Sequence, residues 1–66
     1  MIISKEYFKQ FNSNETIIVT TNDNEQYEGK IIFASDKILA LTTNSDEYSN
    51  VIPYESIKDV QREVNN

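Results

Sequence analysis

Residues 26–43 constrain the fold more than any other stretch, because they hold the densest apolar content of the chain and its single glycine. Tyr27, Gly29, Ile31 and Phe33 fall on alternate positions, and the polar residues Glu28 and Lys30 lie between the first three. A period of two predicts a strand with one dry face and one solvated face. Ser35 and Asp36 then favour a turn, and the unbroken apolar run 38–41 predicts a strand buried on both faces. The stretch therefore predicts two adjacent strands joined by a tight corner.

Gly29 lies inside the first of these strands, where glycine marks a sharp bend or a bulge. A strongly bent strand is what a small barrel needs in order to close. We therefore expect Gly29 to have a structural role.

The N-terminal third adds a helix and a strand. Residues 4–11 predict a short helix with Ser4 as its N-cap and one apolar stripe. The stripe consists of Ile3, Tyr7, Phe8 and Phe11. β-Branched residues at 16–21 predict the first strand, and Asp23 with Asn24 predicts a two-residue hairpin turn into the second.

The C-terminal third adds one or two strands. A polar loop at 44–47 precedes a predicted fourth strand at 48–52, and Pro53 ends its pairing. Residues 57–60 would form a short fifth strand, whereas the apolar spacing would also suit a helix over 57–64. We favour the strand.

Length and composition indicate one small domain that needs a further source of stability. The chain has 66 residues, no Cys and no His. A chain this short hides only about 60% of its unfolded surface on folding. Disulfides and the soft metal ligands are excluded, so self-association is the remaining source. We expect one domain over 1–66, with a helix and cap at 1–14, a barrel at 15–60 and a frayed tail at 61–66, and we expect a homo-oligomer.

Charge and motif content argue against most chemistries. Six basic against eleven acidic residues argue against a polyanion partner. Nucleophilic catalysis lacks a His or Cys, and no glycine-rich phosphate loop is present. The carboxylate pairs Asp46 with Glu47 and Asp23 with Glu25 fall in predicted loops as solvated charges. We expect a non-enzyme with no cofactor and no metal. Without a membrane-length apolar run of ~18 residues, or the apolar core of a signal peptide, we expect a cytoplasmic protein and no membrane partner.

Five short segments carry a family resemblance: residues 11–16, the turn at 23–24, Gly29, residues 35–37 and residues 51–57. Together they resemble the Sm-like family and, within it, the bacterial Hfq proteins. The resemblance covers nearly the whole chain. It implies a mainly β fold, in which a short N-terminal helix precedes a strongly bent five-stranded Sm/SH3-like barrel. It also implies a ring joined through the fourth and fifth strands. A truncated PH-like or another SH3-like barrel is the alternative fold.

The ring implied by this resemblance suggests interface residues, namely Tyr48, Val51, Ile52, Ile57 and Val60. Hfq proteins hold uridine-rich RNA with Tyr-Lys-His before the last strand. At that place this chain has Pro53, Tyr54 and Glu55, so an acid replaces the histidine.

Two functions therefore stay open. One is an RNA-binding ring that acts in post-transcriptional regulation, with stacking on tyrosines and contacts from a lysine repeated around the axis. Its candidate residues are Tyr48, Tyr54, Lys30 and Lys37. The tyrosines could equally bury their rings at a subunit seam. The other function is an acidic protein–protein interaction or assembly module with no RNA and a protein partner that the sequence does not identify.

Overall fold

Five antiparallel strands form a single sheet in the computed structural model, which describes residues 3–42 and 49–63. The strands are β1 Thr16–Thr21, β2 Gln26–Ala34, β3 Ile38–Thr42, β4 Ser49–Pro53 and β5 Ile57–Arg62. Two 3-10 turns, Tyr7–Gln10 and Tyr54–Ser56, complete the described elements. The order across the sheet is β4-β3-β2-β1-β5, so β4 and β5 are its two edges and the sheet is not closed into a barrel.

The mainly β class and the five strands are confirmed. The ambiguous C-terminal segment forms β5, which ends at Arg62 rather than at the expected Val60. The predicted loop at 44–47, Tyr48 and the tail at 64–66 lie outside the described residues. None of the helices in the described part of the chain is long and apolar enough to cross a membrane.

β2 pairs with two different strands along its length. Its residues 26–30 pair with β1, and its residues from Ile31 onwards pair with β3. At the change of partner, β3 ends directly over Gly29. A Cβ built on Gly29 would overlap the carbonyl oxygen of Thr42, and it would lie 3.2 Å from the Thr42 carbonyl carbon. The next amide, that of Lys30, donates to Thr42 Oγ1 at 2.9 Å. The missing side chain therefore lets the two backbones approach each other.

A β-bulge follows this crossing and corrects one expectation. Ile31 pairs with Leu41 and Phe33 pairs with Ala40, so Ile32 is an extra residue on β2. A bulge of this kind interrupts the alternation of faces along a strand. The sequence pattern predicts Phe33 on the dry face, and this prediction is wrong. Phe33 is 51% exposed and Ile32 is 52% exposed.

The predicted helix at 4–11 is also wrong, because only the four residues Tyr7–Gln10 are helical and they form a 3-10 turn. The amide of Tyr7 still donates to Ser4, to the Ser4 carbonyl oxygen at 3.1 Å and to Ser4 Oγ at 3.3 Å. A helix this short gains little from its own hydrogen bonds, so tertiary packing decides its form. Here the packing centres on Phe8, which is buried in the core.

One continuous core lies under the sheet. It is built from buried apolar side chains of the N-terminal turn and of β1, β3, β4 and β5: Phe8, Ile17, Val19, Leu39, Leu41, Ile52 and the adjoining Ile57. The predicted burial of β3 on both faces is confirmed, since Leu39, Ala40 and Leu41 are all buried.

The β1–β2 hairpin has three loop residues rather than the predicted two. The amide of Thr21 donates to the carbonyl of Glu25 at 2.9 Å, and the amide of Asn24 donates back to the Thr21 carbonyl at 2.9 Å. Asn24 takes the left-handed conformation, with φ at 68°. A turn followed by one left-handed residue is a common hairpin form, and it needs positive φ at one position only. The sequence therefore located the turn but not its length.

Arg62 fastens the end of β5 to the N-terminal segment. Its Nε contacts Glu15 Oε2 at 2.5 Å, and its guanidinium also donates to the Gln10 carbonyl at 3.1 Å. The guanidinium carbon lies 4.7 Å from the centre of the Phe11 ring, within the range of a cation–π contact. These contacts join the end of β5 to the segment that precedes its neighbour β1.

We predict that Gly29→Val lowers the free energy of unfolding by more than about 1 kcal/mol, since a side chain would push β3 away from β2. The matched control is Glu28→Val, which adds the same β-branched side chain at the exposed neighbouring position. Urea unfolding of both variants checks this. Equal midpoints for Gly29→Val and the parent would contradict it.

Candidate functional site

A groove lies where the loop between β2 and β3 meets the 3-10 turn between β4 and β5. Its volume is about 630 Å³. It is lined by Ile3, Asp36, Lys37, Ile38, Pro53, Tyr54 and Glu55. Two of the predicted RNA-binding residues, Lys37 and Tyr54, therefore lie at the same site. We call it the loop groove.

Ser35 shapes the loop that carries Asp36 and Lys37. Its Oγ accepts the amides of Lys37 at 3.2 Å and Ile38 at 3.1 Å, and its own amide donates to the Ile38 carbonyl at 2.9 Å. A short serine side chain that replaces backbone partners in this way stabilises a compact turn. The loop therefore presents Asp36 and Lys37 at the surface, where both side chains are exposed.

Tyr54 is held by contacts within the chain. Its ring stacks on Phe8, with the ring centres 5.6 Å apart and an interplanar angle of 26°. Its hydroxyl donates to the Ser35 carbonyl at 2.5 Å, and its amide donates to the Lys37 carbonyl at 2.9 Å. Burial, and then the negative charge of Asp36, raise the pKa of the Tyr54 phenol. Tyr54 thus joins the groove to the core, and one face of its ring is already occupied.

The charges of the loop groove are mixed and mainly acidic. Asp36, Glu55 and Lys37 are all exposed there, so the groove carries two carboxylates and one ammonium group. A phosphate backbone would meet more repulsion than attraction at a single copy of this site. A cationic or neutral group would meet no such net repulsion there.

The other candidate residues are scattered. Lys30 lies on the half of β2 that pairs with β1, opposite Thr16, and does not line the loop groove. Tyr48 lies outside the described residues. Of the predicted interface side chains, Val51 is exposed and Val60 is half-buried. The remaining pair, Ile52 and Ile57, is buried in the chain's own core, so neither side chain is available to a partner.

The acidic residues of the hairpin loop are engaged locally. Thr21 Oγ1 donates to the Asp23 carboxylate, and this bond lowers the pKa of Asp23. The Tyr27 hydroxyl donates to Glu25 Oε2 at 3.2 Å. Within residues 3–42 and 49–63, no group of three or more His, Cys, Asp or Glu side chains is placed to hold a metal ion. The pair at Asp46 and Glu47 lies outside the described residues.

The free edge of β4 can be assigned from one hydrogen bond. The bond from Tyr54 to the Lys37 carbonyl continues the β3–β4 ladder. Antiparallel ladders alternate between hydrogen-bonded and non-hydrogen-bonded pairs. Ser49, Val51 and Pro53 therefore direct their backbone polar groups away from β3. Pro53, which has no N–H, fits this outward-facing position.

The same argument applies to the opposite edge of the sheet. The amide of Glu63 donates to the Thr16 carbonyl at 3.1 Å, which continues the β1–β5 ladder. By alternation, Val60 and Arg62 direct their N–H and C=O groups away from β1.

A second groove, of about 420 Å³, lies beside β4 and extends to the β1–β2 turn.

The sequence could not predict the stacking of Tyr54 on Phe8. It also could not predict which backbone groups of β4 and β5 point away from the sheet. Periodicity assigns faces within a strand, whereas both of these features depend on which strands become neighbours. One signal for Tyr54 does exist, because a tyrosine combines a large apolar ring with a hydroxyl that usually finds a hydrogen-bond partner when it is buried.

Comparison with protein-family models, curated proteins and solved structures finds no match for this chain.

We predict that Tyr54 makes stability fall at high pH. Because its pKa is raised in the folded state, the folded chain keeps a proton that the unfolded chain loses above about pH 10. The contribution is therefore complete below that pH and is lost as the pH rises through the folded-state pKa. At neutral pH, Tyr54→Phe should cost about 1 kcal/mol through the lost hydrogen bond, and the difference from the parent should shrink above about pH 10. Thermal melts across pH check this, and a difference that does not change with pH would contradict it.

Proposed function

We propose that this chain is a non-catalytic Sm-like subunit that forms a homo-oligomeric ring. Its bent sheet would act as an open barrel, with β4 of one subunit pairing with β5 of the next. The observation that carries the proposal is the strand order β4-β3-β2-β1-β5, which leaves two edges of one small sheet unpaired by any other strand of residues 3–42 and 49–63. Unpaired edges invite strand addition, and a repeated head-to-tail contact closes into a ring when the rotation allows it.

The chemistry of the two edges supports this pairing. β4 offers outward amides at Ser49 and Val51, and β5 offers outward amides at Val60 and Arg62. Each of these residues also offers a carbonyl, so the two edges can exchange N–H···O bonds in both directions. The edges are five and six residues long, so neither leaves a long unpaired remainder. The groove beside β4 leaves space for side chains of an added strand.

We propose RNA as a weak and salt-sensitive ligand of such a ring. What supports this is the position of Lys37 next to Tyr54 in the loop groove, because a ring would repeat this lysine around its axis. Phosphate contacts repeated in this way would add up, although each subunit contributes few. Asp36 and Glu55 oppose the binding at every copy.

The second candidate function is an acidic protein-interaction module on the same fold with no RNA. It is favoured by the formal net charge of −5 and by the excess of carboxylates in the loop groove. The two candidates share the ring and differ in its ligand, so separate experiments test assembly and ligand.

We predict that the parent sediments as an oligomer at micromolar concentration and that Ser49→Pro weakens the assembly at least about tenfold. Proline removes an outward amide and blocks strand addition, while edge positions tolerate it within the subunit. Ser49→Ala is the matched control and should assemble like the parent. Sedimentation velocity over a dilution series measures this. A folded parent that stays monomeric would refute the ring.

We predict that Glu55→Lys strengthens binding to short uridine-rich RNA, because it replaces a repelling charge beside Tyr54 with an attracting one. Lys37→Ala should weaken the same binding. Glu28→Lys makes the same charge change on the exposed face of β2, away from the loop groove, and serves as the control. Anisotropy titrations at two salt concentrations, with A-rich RNA as a second probe, measure these effects. If the parent fails to bind even at low salt, the RNA proposal is wrong and the protein-interaction module stands.

A further inference from the structure

The three large apolar side chains that are exposed among the described residues fall on two strands of the same half of the sheet. Ile32 and Phe33 lie on β2 and Val51 lies on β4, where it is 59% exposed. The bulge at Ile32 explains why β2 directs two consecutive apolar side chains outwards. Together these three half-exposed side chains present roughly 300 Å² of apolar surface, and apolar patches of this size are often functional.

The strand register joins these side chains into one surface. Phe33 pairs with Ala40, and Ala40 pairs with Val51, so the three residues form a row across β2, β3 and β4. Directly paired residues share a face of the sheet. Ala40 is small and buried, and its neighbours on both sides are large and exposed. The row is therefore a shallow channel that runs along β3, with Ala40 as its floor. We call it the β3 channel.

The β3 channel leads into the loop groove. Ile38 and Pro53 form the next pair on the same face, two residues along β3 and β4, and both line the loop groove. Beyond them lie the carboxylates of Asp36 and Glu55, which outnumber the one ammonium group of Lys37 in that groove. An apolar channel with an acidic end is complementary to a segment that is apolar along one side and basic beside it.

We propose that the β3 channel binds a short amphipathic helix of a partner protein, with basic residues of that helix at Asp36 and Glu55. The width supports a helix, because the row spans two strand spacings, or about 10 Å, which is close to the diameter of a helix. The proposal goes beyond the ring and concerns the face of the sheet, not its edges.

A second copy of this chain fits the β3 channel less well. A stable protein–protein interface buries about 800 Å² on each partner, of which a little over half, about 450 Å², is apolar, and the patch of roughly 300 Å² is smaller than that. The chain also carries a net charge of −5, which makes a second copy a poor match for the carboxylates of Asp36 and Glu55 at the end of the channel. A helix laid in a groove requires only a few apolar anchors at i, i+3, i+4 and i+7.

The probe is a synthetic Leu/Lys peptide with leucines at i, i+3, i+4 and i+7 and lysines on the other face. Two further peptides serve as comparisons, one with glutamate in place of lysine and one with the same composition in scrambled order. We expect the basic amphipathic peptide to bind, with amide chemical-shift changes along β3 and the adjoining parts of β2 and β4. The acidic and scrambled peptides should bind about tenfold or more weakly.

Matched variants locate the binding. Phe33→Ser and Val51→Ser should each weaken it about tenfold, as expected for anchors at the centre of an interface. The control Ile18→Ser removes an apolar side chain from the other half of the sheet and should leave binding unchanged. The double change Asp36→Asn with Glu55→Gln should weaken binding several-fold, whereas Glu28→Gln should not. Thermal melts verify that each variant is folded.

Several results would overturn the proposal. One is that the scrambled peptide binds as tightly as the amphipathic one. Another is that binding survives both Phe33→Ser and Val51→Ser. A third is that Phe33→Ser changes the sedimentation of the oligomer, because the face would then be a contact between copies of this chain. Binding of anionic lipid vesicles or of uridine-rich RNA that Phe33→Ser abolishes would assign the β3 channel to a different ligand. Sedimentation of Ser49→Pro tests ring assembly separately, so a failure of peptide binding can be distinguished from a failure of the ring.

Discussion

The approach of Thr42 to Gly29 is the contact on which the rest of the sheet depends. β2 pairs with β1 over its first half and with β3 over its second, so it must change partners within one strand. The change occurs where the Thr42 carbonyl occupies the space of a side chain at position 29. Because of this contact, the two halves of the sheet share one core, and a chain of 66 residues buries apolar side chains from four of its five strands.

A core this small leaves few residues for function alone. Tyr54 lines the loop groove, yet its ring packs on Phe8 and its hydroxyl holds the loop at Ser35. Changes that remove its ring would therefore affect folding and binding together. Lys37 and Glu55 are the better probes of ligand binding, because they line the same groove with exposed side chains.

The surfaces left unused by the fold differ in chemistry, and they suggest different partners. The edges of β4 and β5 expose backbone donors and acceptors, which a strand satisfies. The β3 channel exposes apolar side chains across paired strands, where the backbone is already hydrogen-bonded, so a helix covers it better than a strand. The loop groove connects to the channel and carries the acidic charges. A single subunit can therefore assemble through its edges and still keep one face available.

Local sequence patterns were enough to predict the positions of the strands, the burial of β3 and the site of the β1–β2 turn, since alternation, apolar runs and turn residues act locally. The other features depend on contacts between segments that are distant in the sequence. The bulge at Ile32 reversed the face of Phe33, because a bulge depends on the register between two strands and not on the pattern of one. Packing of Phe8 replaced the predicted helix with a 3-10 turn, as short helices take their form from what they contact. The loop groove and the β3 channel depend on which strands become neighbours, and no local pattern encodes that.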